Sequence, residues 1–482
     1  MVSKAGCLIA LALPLLCMSR AGNAQPTDAQ TTPGEEEIPV LEQEAAPGPE
    51  RGVVVPEEPE PKSPAENATV TFSKNPLAIK LGDLTLTPFL QARFRQETRG
   101  KVYGDGEQAA NSLHFLTTRV RLGLGAEWKF LRILMQFQDA RLFGTRPGFD
   151  DGGAFGLHQG ILEFWNDRGF IRIGRQEIIY GNERMIGPLD WLMAARSFDA
   201  LRLHGFFLDK FEVDLFGSML ARQQSFVDDT VDPPVLVENS GSYLATANLI
   251  YNNGTKLRIE AYVLYRHDRP TATLPAPIKN DIVSPGVYLT GVPIDDLRYT
   301  GELTMQGGLQ NDQRFFAFAA SGDLDYTFAV SWKTTINGGF AYATGASQDG
   351  RLSEFNNFFP TNHKFYGAAD LFGLRNLIDG HLTMGVKTPN APVGLKLGLY
   401  TFALADPSAR WSAAPGITLG QNVNNTTRTL GQEVDGLFKW VFVPWASLSG
   451  GYTVFFPNQG ARNLGHDIAT HWGYLEIGAQ TP

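Results

Sequence analysis

The 482-residue chain has only two cysteines, Cys7 and Cys17, both in its first twenty residues. From there on it offers no disulfide, no reactive thiol and no Cys-based metal site. Nor is there a run of the roughly 18–20 apolar residues that a spanning helix needs. It has no phosphate-cradling glycine loop, no zinc-ligand spacing and no nucleophile-elbow sequence. Ser197, Asp199 and His204 are triad residue types, but they share one connected segment, so chance accounts for them better than catalysis. His466 and His471 are five apart, which on a strand sends them to opposite faces. The acid pair Asp150 and Asp151 reads as a solvated loop rather than a glycosidase site. No enzyme, cofactor, metal site or nucleic-acid partner is expected.

Positive charge is also scarce overall: the formal net charge is −9. That charge is local. Gln25 to Ser73 holds nine prolines and eleven acids against two bases, Arg51 and Lys62. Such a stretch buries too little apolar surface to offset its ordering entropy and is expected to be disordered. It is expected to act as a periplasmic spacer, with contact to export partners or electrostatic plugging of a basic lumen as alternatives. Met1 to Ala24 reads as a secretory signal, with Lys4, an apolar Cys7 to Leu16 and the small residues Gly22-Asn23-Ala24. Residues 74–482 are then close to neutral.

What is abundant from residue 74 onward is period-two alternation. Leu84 to Gln96 sets Leu84, Leu86, Leu90, Ala92 and Phe94 against Thr85, Thr87, Gln91, Arg93 and Arg95. Leu116 to Ala126 opposes Val120, Leu122 and Leu124 to Arg119, Arg121 and Gly123. Leu131 to Gln138 opposes Ile133, Met135 and Phe137 to Arg132 and Gln136, and Leu257 to Arg266 opposes Ile259, Ala261 and Val263 to Arg258, Glu260 and Arg266. Strand side chains alternate between faces, so each segment has one greasy and one charged face. Unpaired arginines at mid-strand would cost several kcal/mol each in a dry core. A membrane barrel inverts the arrangement, with lipid outside and a polar lumen inside. The rival is a soluble β-protein with arginines on its wet face.

Loops are expected at Pro147 to Gly156, Asp228 to Gly241, the Pro-rich Arg269 to Pro293 and Gln421 to Thr429. Aromatic residues at segment ends are expected to form interfacial girdles: Trp128 and Phe130, Phe164 and Trp165, Phe206 and Phe207, Trp440 and Phe442, Tyr452, Phe455 and Phe456. At roughly 20–25 residues per strand plus connection, residues 74–482 allow a transmembrane antiparallel barrel of about 16–18 strands, a size that leaves an aqueous channel. No repeat of propeller or solenoid length is visible.

The most unusual stretch is Ile171 to Leu203, in which two alternating segments, Phe170 to Arg175 and Asp199 to Gly205, flank a polar loop. Its residues Gly174-Arg175-Gln176-Glu177, Tyr180-Gly181, Arg184, Ile186-Gly187, Asp190-Trp191 and Arg196-Ser197-Phe198-Asp199-Ala200-Leu201-Arg202-Leu203 resemble the alginate export family of bacterial outer-membrane proteins. Gly431-Gln432-Glu433-Val434-Asp435, Gly451-Tyr452 and Phe455-Phe456-Pro457 agree with it. The likeness covers about residues 83–479. Two stretches depart from the family pattern: Thr271 to Asp296, and the ending Tyr474 to Pro482, which lacks a terminal aromatic residue.

The resemblance implies a monomeric barrel of about eighteen strands in the Gram-negative outer membrane, conducting an acidic polysaccharide passively through an arginine-rich lumen. A polyuronate carries a carboxylate on every sugar, and arginine stays charged and meets carboxylates in bidentate geometry. By strand parity the path residues are Arg93, Arg95, Arg119, Arg121, Arg132, Arg172, Arg202, Arg258 and Arg266. Arg175, Arg184 and Arg196 either extend that path or hold the loop through Glu177 and Asp190. Asp190, Trp191, Phe198 and Asp199 are expected as loop architecture, and Tyr180 belongs to the same motif loop. Each wall arginine has a plainer role open to it, pairing with acids such as Glu163, Glu212, Asp214 or Glu260. Two other functions remain open: a general anion or oligosaccharide porin, and a plugged barrel serving as a surface adhesion or scaffold protein.

Overall fold

A computed structural model describes residues 76–100, 112–144, 155–220, 226–228, 235–237, 242–268, 279–389, 392–413 and 417–481. The leader, the acidic Gln25 to Ser73 stretch, Asp150 and Asp151 lie outside the described residues. Among the described residues, eighteen antiparallel strands close into one barrel. They are β1 (Leu84–Gly100), β2 (Leu113–Trp128), β3 (Leu131–Gly144), β4 (Gly156–Asn166), β5 (Gly169–Gln176) and β6 (Phe198–Leu208). Next come β7 (Phe211–Met219), β8 (Tyr243–Asn252), β9 (Arg258–Asp268), β10 (Asn280–Ile294), β11 (Leu297–Gln310) and β12 (Gln313–Phe328). The last six are β13 (Thr334–Ala343), β14 (Leu377–Lys387), β15 (Val393–Ala403), β16 (Thr429–Val443), β17 (Ala446–Pro457) and β18 (Thr470–Gln480). Each pairs with the next, and β1 closes on β18 from Gln91↔Gln480 to Gly100↔His471. A short strand, Ile79–Leu81, continues the seam against the start of β1. Closure leaves no unpaired edge, which a sheet in hydrocarbon requires.

The two faces are inverted as the alternation demands. Leu122 is 61% exposed, and Ile133, Ile171, Ile173, Val263 and Leu397 also face outward. Arg95, Arg119, Arg172 and Arg202 on the intervening positions are buried. The exposed aromatics Trp128, Phe130, Phe164, Trp440 and Phe442 lie near one end, and Tyr452 and Phe456 near the other. Two expected girdle residues point inward instead. Phe455 is buried, and Trp165 lies under the Arg132 guanidinium at 3.8 Å. The reason is parity: both sit one position from an outward-facing aromatic neighbour.

Of the Pro-rich stretch expected as a loop from Arg269 to Pro293, residues 269–278 lie outside the described residues, and from Asn280 onward it is strand β10. Ile282, Ser284, Tyr288 and Thr290 are buried while Val283, Val287 and Leu289 are exposed. Pro285 pairs with Val263 on the β9 side, and the β11 ladder skips from Val283↔Gly307 to Gly286↔Thr304. Proline has no N–H to donate, so it is tolerated where the ladder is already interrupted.

Connections alternate in length. Two-residue turns join β2 to β3, β4 to β5, β6 to β7, β10 to β11 and β16 to β17. They lie at the end that holds Leu84 and Gln480. The longer connections lie opposite, together with one further two-residue turn, Asn311-Asp312, between β11 and β12. In outer-membrane barrels the short turns are periplasmic and the long loops extracellular, which assigns the ends. Two of the long connections, 177–197 and 344–376, fold back inside the barrel. Ile178, Met185, Ile186, Phe355, Tyr366 and Phe372 are buried in one cluster with inner-face residues Phe216, Leu264, Ile282, Phe315, Phe402 and Trp472. Those wall residues all lie toward the loop ends of their strands. The loop half of the interior therefore holds a large apolar cluster, with charged residues such as Arg99, Asp268 and Glu433 set around it on the same inner face.

Candidate functional site: the inner wall and its two inward segments

The two inward segments hold each other through a short parallel pairing. Ile186 bridges Phe359, Gly187 N donates to Phe359 O at 2.9 Å, and Thr361 N donates to Glu183 O at 3.0 Å. The Arg196 side chain ties this junction, donating to Gly187 O at 2.9 Å and Pro360 O at 3.3 Å, and also to Phe359 O. Removal from water pushes the Arg196 pKa down to about 10, so it remains a cation at neutral pH. Arg184 anchors the junction to the wall through Tyr366 Oη and Asp323, each at 2.8 Å.

Residues 190–194 dock on the wall formed by β1, β2 and β3. Asp190 forms ion pairs through Oδ1 with Arg119 Nη1 at 2.9 Å and Arg121 Nη1 at 3.0 Å, and through Oδ2 with Arg93 Nη1 at 3.3 Å. Arg119 Nη2 also donates to Oδ2 at 3.1 Å. Loss of water around this carboxyl would raise its pKa, but Arg119, Arg121 and Arg93 outweigh that and hold it at about 2. Arg95 donates to Trp191 O at 2.9 Å and stacks on the Trp191 ring at 3.8 Å. That indole stacks in turn on His363, with ring centres 3.8 Å apart, and meets Tyr474 edge-on at 5.1 Å. Gln138 completes the dock, its amide donating to Ala194 O at 2.7 Å.

The path arginines also pair with acids of the wall: Glu476 accepts from Arg93 Nη2 and Glu97 from Arg95 Nε, each at 2.9 Å. Glu163 accepts from Arg132 Nη1 at 3.1 Å and Arg172 Nε at 2.7 Å, and Glu127 accepts from Arg132 Nε at 2.7 Å. Arg202 donates to both oxygens of Asp214, at 3.1 and 2.9 Å. Arg258 pairs with Glu260 at 2.9 Å and Arg266 with Asp268 at 2.7 Å. Arg172 and Arg202 stand directly opposite across the β5–β6 ladder. Like charges in that relation repel, and Glu163 and Asp214 offset the repulsion.

Within the motif loop, Tyr180 Oη donates to Asp214 at 2.5 Å. Glu177 lies 2.7 Å from His158 Nε2 and 3.7 Å from Arg121. Arg175 reaches Asp199 only at 3.9 Å, both half-exposed. Ser197, Asp199 and His204 do not converge: Ser197 lies 3.2 Å from His158, while His204 lies 3.1 Å from Asp214. Among the described residues, no group of three or more His, Cys, Asp or Glu is arranged to hold a metal ion.

Inward wall cations outside the expected path include Arg99 of β1, which donates to Ala369 O at 3.2 Å, and two lysines. Lys396 and Lys439 are half-buried on the inner face of β15 and β16, near their turn ends, and pair in the ladder with Leu437 and Gly394. Neither has an acid within 4.0 Å among the described residues, unlike the arginines of β3 to β9. Both were legible by parity: Lys396 alternates with Leu395 and Leu397, and Lys439 with Phe438 and Trp440.

In fold, the chain is similar to *Pseudomonas aeruginosa* OccK11 (OpdR), with TM-score 0.52 and 11% identity over 82% of this chain and 96% of that one. It is similar to *P. aeruginosa* OpdQ with TM-score 0.55 and 8% identity, over 82% and 98%. *Acinetobacter baumannii* OccAB4 gives TM-score 0.54 and 10% identity, over 82% and 97%. No curated protein sequence matches the chain. The alginate export family model matches residues 89–471, which take in every strand of the barrel in whole or in part. With the inverted, closed eighteen-strand wall, this match makes the chain a member of the alginate export family and an outer-membrane channel.

Proposed function

We propose that the channel carries an anionic, alginate-like polyuronate passively across the outer membrane, with inner-wall cations as successive weak sites for its carboxylates. The observation that carries this reading is the excess of inner-wall cations from β15 round to β2, where Lys396, Lys439, Arg93, Arg119 and Arg121 meet one wall acid within 4.0 Å among the described residues, Glu476 of β18 at 2.9 Å from Arg93. Fixed cations that bind a carboxylate weakly enough to release it are what conduction of such a polymer requires. The arginines Arg132, Arg172, Arg202 and Arg258 serve the wall instead, each matched to a carboxylate. The test is planar-bilayer conductance of the purified chain. Anion selectivity with block by polyuronate, and none by neutral dextran of equal length, is the expected result. Equal block by both polymers would overturn the reading.

One observation favours a second reading, a pore for small anions. The inward segments fill the loop half of the interior with packed apolar side chains, which leaves little room for a chain of sugars unless they move. Passage of monosaccharide acids without polymer block would select it.

A further inference from the structure

The Asp190 carboxylate sits among guanidiniums as an acidic sugar's carboxylate would. Three arginines from two adjacent strands converge on it: Arg93 on β1, and Arg119 and Arg121 on β2. Its Oδ1 is sealed against the wall, yet 45% of the side chain remains exposed, so the group is held at its tip and open behind. The cradle is not saturated by this one carboxylate. Arg119 Nε and Arg121 Nη2 are buried donors with no hydrogen-bond acceptor among the described residues. Buried donors of this kind normally find an acceptor, because leaving them unmet costs free energy. The same guanidiniums hold the segment's backbone: Arg93 Nη1 donates to Asp190 O at 2.7 Å and Arg119 Nη1 to the same oxygen at 3.2 Å.

We propose that Arg93, Arg119 and Arg121 form a carboxylate-binding site that the chain itself occupies with Asp190, and that an incoming sugar carboxylate displaces Asp190 and undocks residues 188–197. This deepens the transport reading and rests on it, since the displaced residues belong to one of the two segments that fold into the channel. A planar guanidinium accepts one bidentate carboxylate much as another, so exchange conserves the charge-assisted hydrogen bonds. The ligand class is a carboxylate on a small hydroxylated ring. The internal occupant lowers apparent affinity by the fraction of time that it holds the site. The arrangement is an autoinhibited site whose own substrate relieves the inhibition.

The experiment titrates glucuronate, with glucose as the neutral control, into the detergent-solubilised full chain. Asp190→Asn keeps the shape and removes the competing charge, so it is expected to bind glucuronate about tenfold or more tighter than the unaltered chain. Asp190→Asn combined with Arg119→Gln is expected to lose that gain. Equal affinities in the unaltered chain and Asp190→Asn, both retaining heat-modifiable mobility, would overturn the proposal. If Asp190→Asn does not fold, hydrogen exchange on the unaltered chain decides. Faster exchange at Ala195 and Arg196 with saturating glucuronate, and not with glucose, supports displacement; unchanged exchange refutes it. Both readouts are free of transport, so a barrel that binds glucuronate in this way but passes no polyuronate would refute the export reading alone.

Discussion

Glu163 is the single group on which the ion-paired half of the wall depends most. It is almost wholly buried and receives Arg132 Nη1 at 3.1 Å and Arg172 Nε at 2.7 Å. Glu163→Gln keeps the volume and removes the charge, leaving two buried guanidiniums without their shared anion. Arg172 already faces Arg202 across the ladder, so its repulsion is newly uncompensated. Breaking a buried pair by removing one partner costs about 3–5 kcal/mol. Arg132 retains Glu127 at 2.7 Å, which places the expected loss near 3 kcal/mol, at the lower end of that range. Urea titration of the barrel in micelles, read by the folded and unfolded electrophoretic bands, measures it. Glu163→Gln with Arg172→Met is expected to recover most of the loss, because replacing a whole buried pair by packed apolar groups is often neutral. A single-variant cost under about 1 kcal/mol would show that water, not Glu163, stabilises these guanidiniums and would refute the reasoning.

The Asp190 clamp predicts a pH profile. Its folded pKa of about 2 lies below the ordinary value of about 3.9, so the docking it supplies is fully present above pH 4 and is lost as pH falls through 2. Open-channel conductance should therefore be flat from pH 8 to 4 and rise only below about 3; a rise well above pH 4 would show that the Asp190 carboxylate does not set the docking. On the lipid side, Leu122→Arg should destabilise the barrel by about 2–4 kcal/mol if Leu122 lies near the bilayer centre, and an unchanged urea midpoint would remove it from the membrane face. Lys396→Gln with Lys439→Gln should lower anion over cation selectivity, read from reversal potentials in a salt gradient, without altering heat-modifiable mobility. Unchanged selectivity would take these lysines off the path.

Alternation alone determined which face meets lipid. Leu122, Ile133 and Ile171 look outward and Arg95, Arg119 and Arg172 inward because strand parity is a local property, fixed by backbone geometry at each residue. The unusual composition of Ile171 to Leu203 likewise identified the family, and the acids expected as partners meet their arginines, Glu163 and Asp214 across adjacent strands and Glu260 two positions along β9. Parity does not tell what an inward side chain meets across the barrel, and there the tertiary structure decided. It folded residues 177–197 and 344–376 into the interior, placing an apolar cluster in the loop half and turning Asp190 onto arginines nearly seventy or more positions away in sequence. It also made a strand of β10 around Pro285, since the gap in its ladder to β11 exists only once three strands are aligned. Contacts between a loop and a wall depend on closure of the whole sheet, and no window of sequence contains that information.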